Sequence, residues 1–216
     1  MNEKLTQAVL ADVAAVREVI GTPADLAVKK AIPKLDKFSR ELIQRSPFLT
    51  IGTANANGKS DVSPRGDQPG FVLILDDNTI FLPERPGNNR VDTLSNITEN
   101  PNVGLLFLVP GFDETLRVNG RASVVKDEVL LERCAMNGKV PKLGIMVAVE
   151  EAYLHCAKAF RRSKLWDAGS LQNRKDMPSL GKIILEQTAE QNKLPSDEDV
   201  KAVDEYIEDN YRNELY

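Results

Sequence analysis

The residues best suited to bind an anion lie in the stretch PERPGNNRVDTL, which leads into a predicted helix over residues 90–100. A helix start exposes unpaired backbone N–H groups and carries about half a positive charge, so it attracts phosphate. Gly87 permits close backbone approach, and Asn88 and Asn89 add short donors. Arg90 offers a planar guanidinium that matches phosphate oxygens. The stretch indicates a phosphate site; the simpler interpretation is that Asn89 caps the helix and Arg90 is solvated.

A second polar group occurs in KSDVSPRG, which reads as a strand. Alternation places Asp61, Ser63 and Arg65 on one face, and Pro64 requires an edge strand or an interruption. A strand face with these polar side chains is not expected to pack in the hydrophobic core. It either lines a site or forms a wet outer surface with an Asp61–Arg65 ion pair. The strand TLRVNGRASVV likewise carries two arginines on one face.

The helices and strands that must position these residues are predicted from the spacing of apolar residues. Apolar residues at helical spacing predict a helix that includes Leu5 to Ile20 and another that ends before Pro47. Strand signals begin at Phe48, with an Asn57-Gly58 hairpin turn, and the short connections favour antiparallel pairing into a small barrel. The predicted strands include FLTIGTA, KSDVSP, FVLILD, TIFLP, NVGLLFLV, TLRVNGRASVV and GIMVAVEEAYLHC. Two more helices are expected at residues 180–187 and 197–210.

The composition of the chain argues against several classes of protein. The chain has 216 residues, 28 basic and 32 acidic, without a block of like charge, so it does not resemble a nucleic-acid binder. Its apolar runs are too short to span a bilayer, and its first residues do not resemble a secretion signal, so a cytoplasmic protein without membrane contact is expected. Cys134 and Cys156 do not form a metal-binding or disulfide pattern, and both are expected to be buried.

Four motifs carry a family resemblance: TANANGKSDVSPRGD, TIFLPERPGNNRVDTLSNITENPNVGLLFLVPG, LRVNGRASV and HCAKAFRRSKLW. Together they resemble the pyridoxamine 5'-phosphate oxidase family of FMN-binding split barrels, and more narrowly its branch of probable FMN-dependent proteins. The resemblance runs from about Phe48 to Trp166. It implies a mainly β, antiparallel FMN-binding split β-barrel with flanking helices.

The expected organisation is a single domain over residues 1–216. The barrel occupies about 48–166, between helical extensions at 1–46 and 167–216. The resemblance further implies a homodimer with FMN at its interface, and no metal. The cofactor contacts that it implies are Asn88, Asn89 and Arg90 for the phosphate, and Ser63, Pro64, Arg65, Leu82 and Pro83 for the ribityl chain and the flavin edge. Because a phosphate carries close to two negative charges, more than a helix start balances, Arg65 is also expected to act as a second cation at the phosphate.

The block YLHCAKAFRRSKLW contains the remaining implied contacts, His155, Lys158 and Trp166. By resemblance it reaches the flavin of the partner subunit. The alternative is a basic exposed helix with Trp166 filling the core. His155 is the only histidine, and no nucleophile is identifiable by spacing, so no catalytic residue is assigned.

Three functions fit the sequence. The chain is an FMN-dependent oxidoreductase acting on a small molecule, a non-catalytic flavin-binding or sensor protein, or an interaction domain that has lost the cofactor. Oxidation of pyridoxamine phosphate is not expected, because residues 167–216 contain neither tryptophan nor histidine, which the vitamin-oxidase members use.

Overall fold

The centre of the fold is one seven-stranded antiparallel sheet. A computed structural model of the chain describes residues 8–190 and 193–216. The strands are β1 (Phe48–Ala54), β2 (Ser60–Gly66), β3 (Leu73–Ile74), β4 (Thr79–Pro83), β5 (Asn102–Leu108), β6 (Thr115–Val125) and β7 (Gly144–His155). Their order across the sheet is β2-β1-β5-β6-β7-β4-β3. The prediction of an antiparallel sheet of six or more strands over residues 48–155 is confirmed.

Alternation explains why these segments form strands. In β1 the side chains of Leu49 and Ile51 are fully buried, whereas Thr50 between them is partly exposed. The β1–β2 hairpin turns at Asn57-Gly58, where Gly58 has φ +78°, a conformation that glycine adopts without steric cost. The predicted strand FVLILD is shorter than expected, because only Leu73 and Ile74 pair with β4.

The sheet curls so that its two ends approach each other. β2 pairs only with β1, and β3 pairs only with β4, so the two strands are the edges of the sheet. Even so, Arg65 on β2 contacts Glu84, the residue that follows β4. The curled sheet encloses a core that includes Ile51, Phe107 and Val118. The gap between β2 and the end of β4 is the split of the barrel.

Helices flank the sheet at both ends of the described chain. They are α1 (Val13–Ile20), α2 (Asp25–Lys29), α3 (Lys37–Arg45), α4 (Asp92–Glu99), α5 (Glu128–Arg133), α6 (Lys158–Ser163), α7 (Leu180–Thr188) and α8 (Asp197–Asn213). The sequence did not predict α2 or α5. The expected helical region at residues 1–7 lies outside the described residues. Among the residues that are described, no helix is long and apolar enough to cross a bilayer.

Candidate functional site

The split of the barrel contains a cavity of about 440 Å³, here called the first cavity. One wall is β2, and the opposite wall is the 84–91 segment, which connects β4 to α4. Six of the predicted contact residues line it: Ser63, Pro64, Arg65, Pro83, Asn88 and Arg90. Residues that lie far apart in the sequence are therefore brought together around one space.

Arg65 is held in place at the wall of this cavity. Its Nε lies 3.1 Å from Oε2 of Glu84, its Nη2 lies 3.3 Å from Oε1 of the same carboxylate, and its Nη1 donates to Ser63 Oγ at 2.6 Å. Only 14% of the Arg65 side chain is exposed. The interpretation of an Asp61–Arg65 surface pair is wrong, because the carboxylate that pairs with Arg65 comes from the other wall of the cavity.

Glu84 is itself partly buried, and this burial raises the pKa of its carboxyl group above the ordinary value of 4.5. The positive charge of Arg65 opposes that shift without cancelling it. Arg65 and Glu84 together therefore present little net charge to the cavity. The guanidinium is positioned to receive an anion, but an anion would compete with Glu84 for it.

The backbone of the 84–91 segment is unusual. Asn89 has φ +58° and Val91 has φ +55°, so two non-glycine residues within three positions are left-handed. For a β-branched residue such as Val91 this conformation is a genuine outlier. Between them, the backbone N–H of Arg90 donates to Asn88 Oδ1 at 3.1 Å. The segment is strained, and strain of this kind is concentrated at functional sites.

Helix α4 begins at Asp92, two residues later than predicted, because Val91 leaves the helical conformation. The residue preceding the helix is Val91, and it makes no side-chain capping bond. The interpretation of Asn89 as the helix cap is therefore wrong. The first-turn residues Asp92, Thr93 and Leu94 line the first cavity, so the uncapped start of the helix lies at its wall.

Arg90 is the most exposed cation of this wall, with 72% of its side chain accessible. Its Nε lies 2.7 Å from Oδ2 of Asp92 in the first turn of α4. Because Arg90 lines the cavity and its partner is also exposed, an incoming anion can replace Asp92 at little structural cost.

Two of the remaining predicted contacts lie outside the lining of the first cavity. Leu82 is 1% exposed, and its side chain belongs to the core. Both neighbours of Leu82 are also buried, so alternation along β4 could not show which side chains face the site. Asn89 lines a second cavity, which shares most of the 84–91 segment with the first.

His155, Lys158 and Trp166 lie at the end of β7 and just after it, and they do not line the first cavity of their own chain. Trp166 donates from Nε1 to the carbonyl oxygen of Phe112 at 2.7 Å and lies against Phe160, with ring centroids 5.7 Å apart. The interpretation of Trp166 as a core residue is wrong, since it is 38% exposed. Cys156 is also exposed, contrary to the prediction, whereas Cys134 is buried.

A group of polar contacts that the sequence reasoning missed lies beside the first cavity. Asp67, just after β2, accepts from Arg85 Nε at 2.6 Å and from the hydroxyl of Tyr216 at 2.8 Å. Arg85 also donates to the carbonyl oxygen of Cys134 at 2.8 Å. The sequence did contain a signal. PRGD at the end of β2 carries an arginine and an aspartate, and PERP at the end of β4 carries a glutamate and an arginine, so each segment offers a charged partner to the other. We call Asp67, Arg85 and Tyr216 the anchor group.

The second cavity also measures about 440 Å³. It is lined by the 84–91 segment on one side and by Lys139, Val140 and Tyr216 on others. The 84–91 segment therefore contributes residues to the lining of both cavities. Its position depends on the contacts that hold its two ends.

Comparison with solved structures gives matches of low identity. HupZ of Group A Streptococcus is 19% identical, with a TM-score of 0.46, over 56% of this chain and 93% of that chain. General Stress Protein 26 of Bacillus anthracis is 18% identical, with a TM-score of 0.42, over 53% and 88%. An F420 reductase is 16% identical, with a TM-score of 0.39, over 54% and 94%. No curated protein matches the chain.

Comparison with protein families gives a match that covers more than half of the chain. The family model described as pyridoxamine 5'-phosphate oxidase matches residues 35–156. The matched range includes all seven strands, the 84–91 segment and the start of α4, and thus both walls of the first cavity. The chain belongs to the pyridoxamine 5'-phosphate oxidase family.

Proposed function

We propose that the chain is an FMN-binding flavoprotein of the branch of probable FMN-dependent proteins, and that it acts as an FMN-dependent oxidoreductase on a small molecule. The observation that carries the proposal is the grouping of Ser63, Arg65, Asn88 and Arg90 around one cavity, at the uncapped start of α4. The cavity volume of about 440 Å³ lies within the range of small-molecule and cofactor sites.

The residues of the first cavity fit the phosphate end of FMN. A phosphate group carries close to two negative charges at neutral pH, more than the half charge of a helix start can balance. Arg90 and the first-turn N–H groups of α4 would hold the phosphate, with Asn88 as a further donor and Arg65 as a second cation. Ser63 would hold the adjoining ribityl chain, and Pro64 and Pro83, which also line the cavity, would form the surroundings of the flavin. When bound, FMN supplies the electron-transfer chemistry.

The protein contributes orientation and charge at this site. Glu84 and Asp92 hold Arg65 and Arg90 in ion pairs at the cavity walls, and a bound phosphate would compete with these carboxylates for the two guanidinium groups. Glu84 also brings a carboxyl group whose pKa is raised by burial. A group of this kind can hold a proton closer to neutral pH than an exposed carboxyl group can.

We also propose that the protein forms a homodimer with the flavin at its interface. In this arrangement His155, Lys158 and Trp166 of one subunit approach the strand that carries Ser63, Pro64 and Arg65 in the other. The support is the exposed apolar surface formed by Phe112 and Trp166, which are in contact and are 43% and 38% exposed. Surfaces of this kind mark interaction sites. Sedimentation of a monomer that retains FMN would contradict the proposal.

A flavin-binding or sensor protein without turnover is the second candidate. It is favoured by the lining of the first cavity, which among the described residues contains no histidine, cysteine, tyrosine or lysine. The three carboxyl groups of the lining are Asp61, Glu84 and Asp92, and the last two pair with arginines. A site with so few proton-transferring groups suits cofactor retention as well as it suits catalysis.

The experiment that tests the cofactor is mass spectrometry of the ligand released by heat from the purified protein, together with its absorption spectrum. The proposal predicts a yellow protein that releases FMN. Release of a deazaflavin or haem would overturn the assignment of FMN, and a colourless protein that binds no added flavin would favour an interaction domain. Reduction of the bound flavin by NADH or NADPH, followed by a screen of acceptors, separates the enzyme from the sensor.

A further inference from the structure

The anchor group holds the start of the 84–91 segment. Only 1% of the Asp67 side chain is exposed, and both of its oxygens accept hydrogen bonds, Oδ2 from Arg85 and Oδ1 from Tyr216. Arg85 is 15% exposed, and its second contact is the carbonyl oxygen of Cys134. The guanidinium also lies 5.4 Å from the centroid of the Tyr216 ring. Arg85 is thus fixed by three separate parts of the chain.

Beyond Arg85, the 84–91 segment has few means of support. It contains no helix or strand, and Asn89 and Val91 are left-handed. Its residues line both the first and the second cavity. Helix α4 holds its far end. Its near end is held at Glu84, by the pair with Arg65 and the bond from the Glu84 N–H to the Leu143 carbonyl oxygen, and at Arg85 by the anchor group. A change in the anchor group should therefore move Asn88, Asn89 and Arg90 more than it moves the sheet.

We propose that Asp67 and Tyr216 are positioning residues that act through Arg85 to place the 84–91 segment for phosphate binding. This inference rests on the proposed function, because it assigns a role relative to the FMN phosphate. Neither residue lines the first cavity. Tyr216 belongs to the wall of the second cavity, so its effect on the flavin passes through the 84–91 segment.

The test uses Tyr216→Phe, which removes the hydroxyl group that donates to Asp67 and keeps the ring that lies against Arg85. The control is Tyr206→Phe on α8, an exposed tyrosine. Apoprotein is titrated with FMN and with riboflavin, which lacks the phosphate. We expect Tyr216→Phe to weaken FMN binding by about threefold to tenfold, and to leave riboflavin binding and the control unchanged. The expected loss is smaller than that for a direct charge-assisted hydrogen bond to the phosphate, because Tyr216 acts through Arg85.

Hydrogen exchange gives a second readout that does not require flavin. In Tyr216→Phe apoprotein, exchange should become faster at the amides of residues 87–91 and stay unchanged in β5 and β6. Unchanged exchange together with an unchanged ratio of FMN to riboflavin affinity would overturn the positioning role alone. If the wild-type protein does not prefer FMN to riboflavin, the proposed phosphate site fails, and this inference fails with it.

Discussion

Arg65 and Glu84 form an ion pair across the split of the barrel, with Nε and Oε2 3.1 Å apart, although Arg65 lies on the edge strand β2 and Glu84 follows β4, the sixth of the seven strands in the sheet order. The pair closes the sheet beside the first cavity. It also means that the second cation proposed for the phosphate, Arg65, is already balanced by a carboxylate. The same relation holds on the opposite wall, where Asp92 pairs with the more exposed Arg90.

Replacing Glu84 by glutamine should strengthen FMN binding. The substitution removes a negative charge next to the phosphate and releases Arg65 from an ionic partner. We expect the FMN dissociation constant to fall by roughly threefold to tenfold, measured by flavin fluorescence at pH 8 and low ionic strength. Glu150→Gln, an equal charge change on an exposed residue of β7, should leave the dissociation constant unchanged. Weaker binding by Glu84→Gln would show that the ion pair is needed to position Arg65.

The stability of the protein should depend on pH through Glu84. Its pKa is raised by burial above 4.5, so the contribution of Glu84 to folding is fully present below the unfolded pKa and is lost as the pH rises through the folded pKa. The unfolding free energy of the wild type, minus that of Glu84→Gln, should therefore fall as the pH rises above the ordinary carboxyl value of 4.5. Urea titrations at each pH measure this difference. If this difference grew with pH instead, the attraction of Arg65 would outweigh the effect of burial on the pKa of Glu84.

Arg90→Ala removes the cation that lies beside the start of α4. A charge-assisted hydrogen bond contributes on the order of 1.5 to 3 kcal/mol, so FMN binding should weaken by roughly tenfold to a hundredfold. Because Arg90 is largely exposed, its removal should change the free energy of unfolding by only about 0.5 kcal/mol or less. Arg212→Ala on α8 is the matched control. Unchanged FMN affinity in Arg90→Ala would contradict its role at the phosphate.

Asp67→Ala should destabilise the fold strongly. The substitution leaves Arg85 buried without its partner, and breaking a buried pair in this way costs about 3 to 5 kcal/mol. The comparison is Asp25→Ala, which removes an exposed pair with Lys29 and should cost less than about 1 kcal/mol. Chemical denaturation of both variants gives the two values. A cost for Asp67→Ala near that of the control would show that Arg85 finds another partner.

The sequence predicted what depends on local pattern. Alternation and the Asn57-Gly58 turn located the sheet from Phe48 to His155, and the Pro64 strand lies at an edge as its missing N–H requires. The predicted grouping of β2 with the 84–91 segment came from family resemblance, and the structure brings most of those residues to one cavity.

The sequence could not predict the contacts that depend on the curvature of the sheet. The partners of Arg65 and Arg85 come from the opposite wall of the split, and Tyr216 reaches Asp67 from the far end of the described chain. Nothing in the sequence marks Val91 as left-handed, so the start of α4 was misplaced. Such features arise from tertiary geometry, which local periodicity does not contain.

The most direct test of the phosphate site is the affinity of the wild-type apoprotein for FMN relative to riboflavin, measured by fluorescence titration under identical conditions. The two ligands differ only in the phosphate that Arg90, Asn88 and the start of α4 are proposed to bind. Two or more charge-assisted hydrogen bonds predict that FMN binds at least about a hundredfold more tightly. Equal affinity for the two flavins would contradict the assignment of the first cavity as the flavin phosphate site.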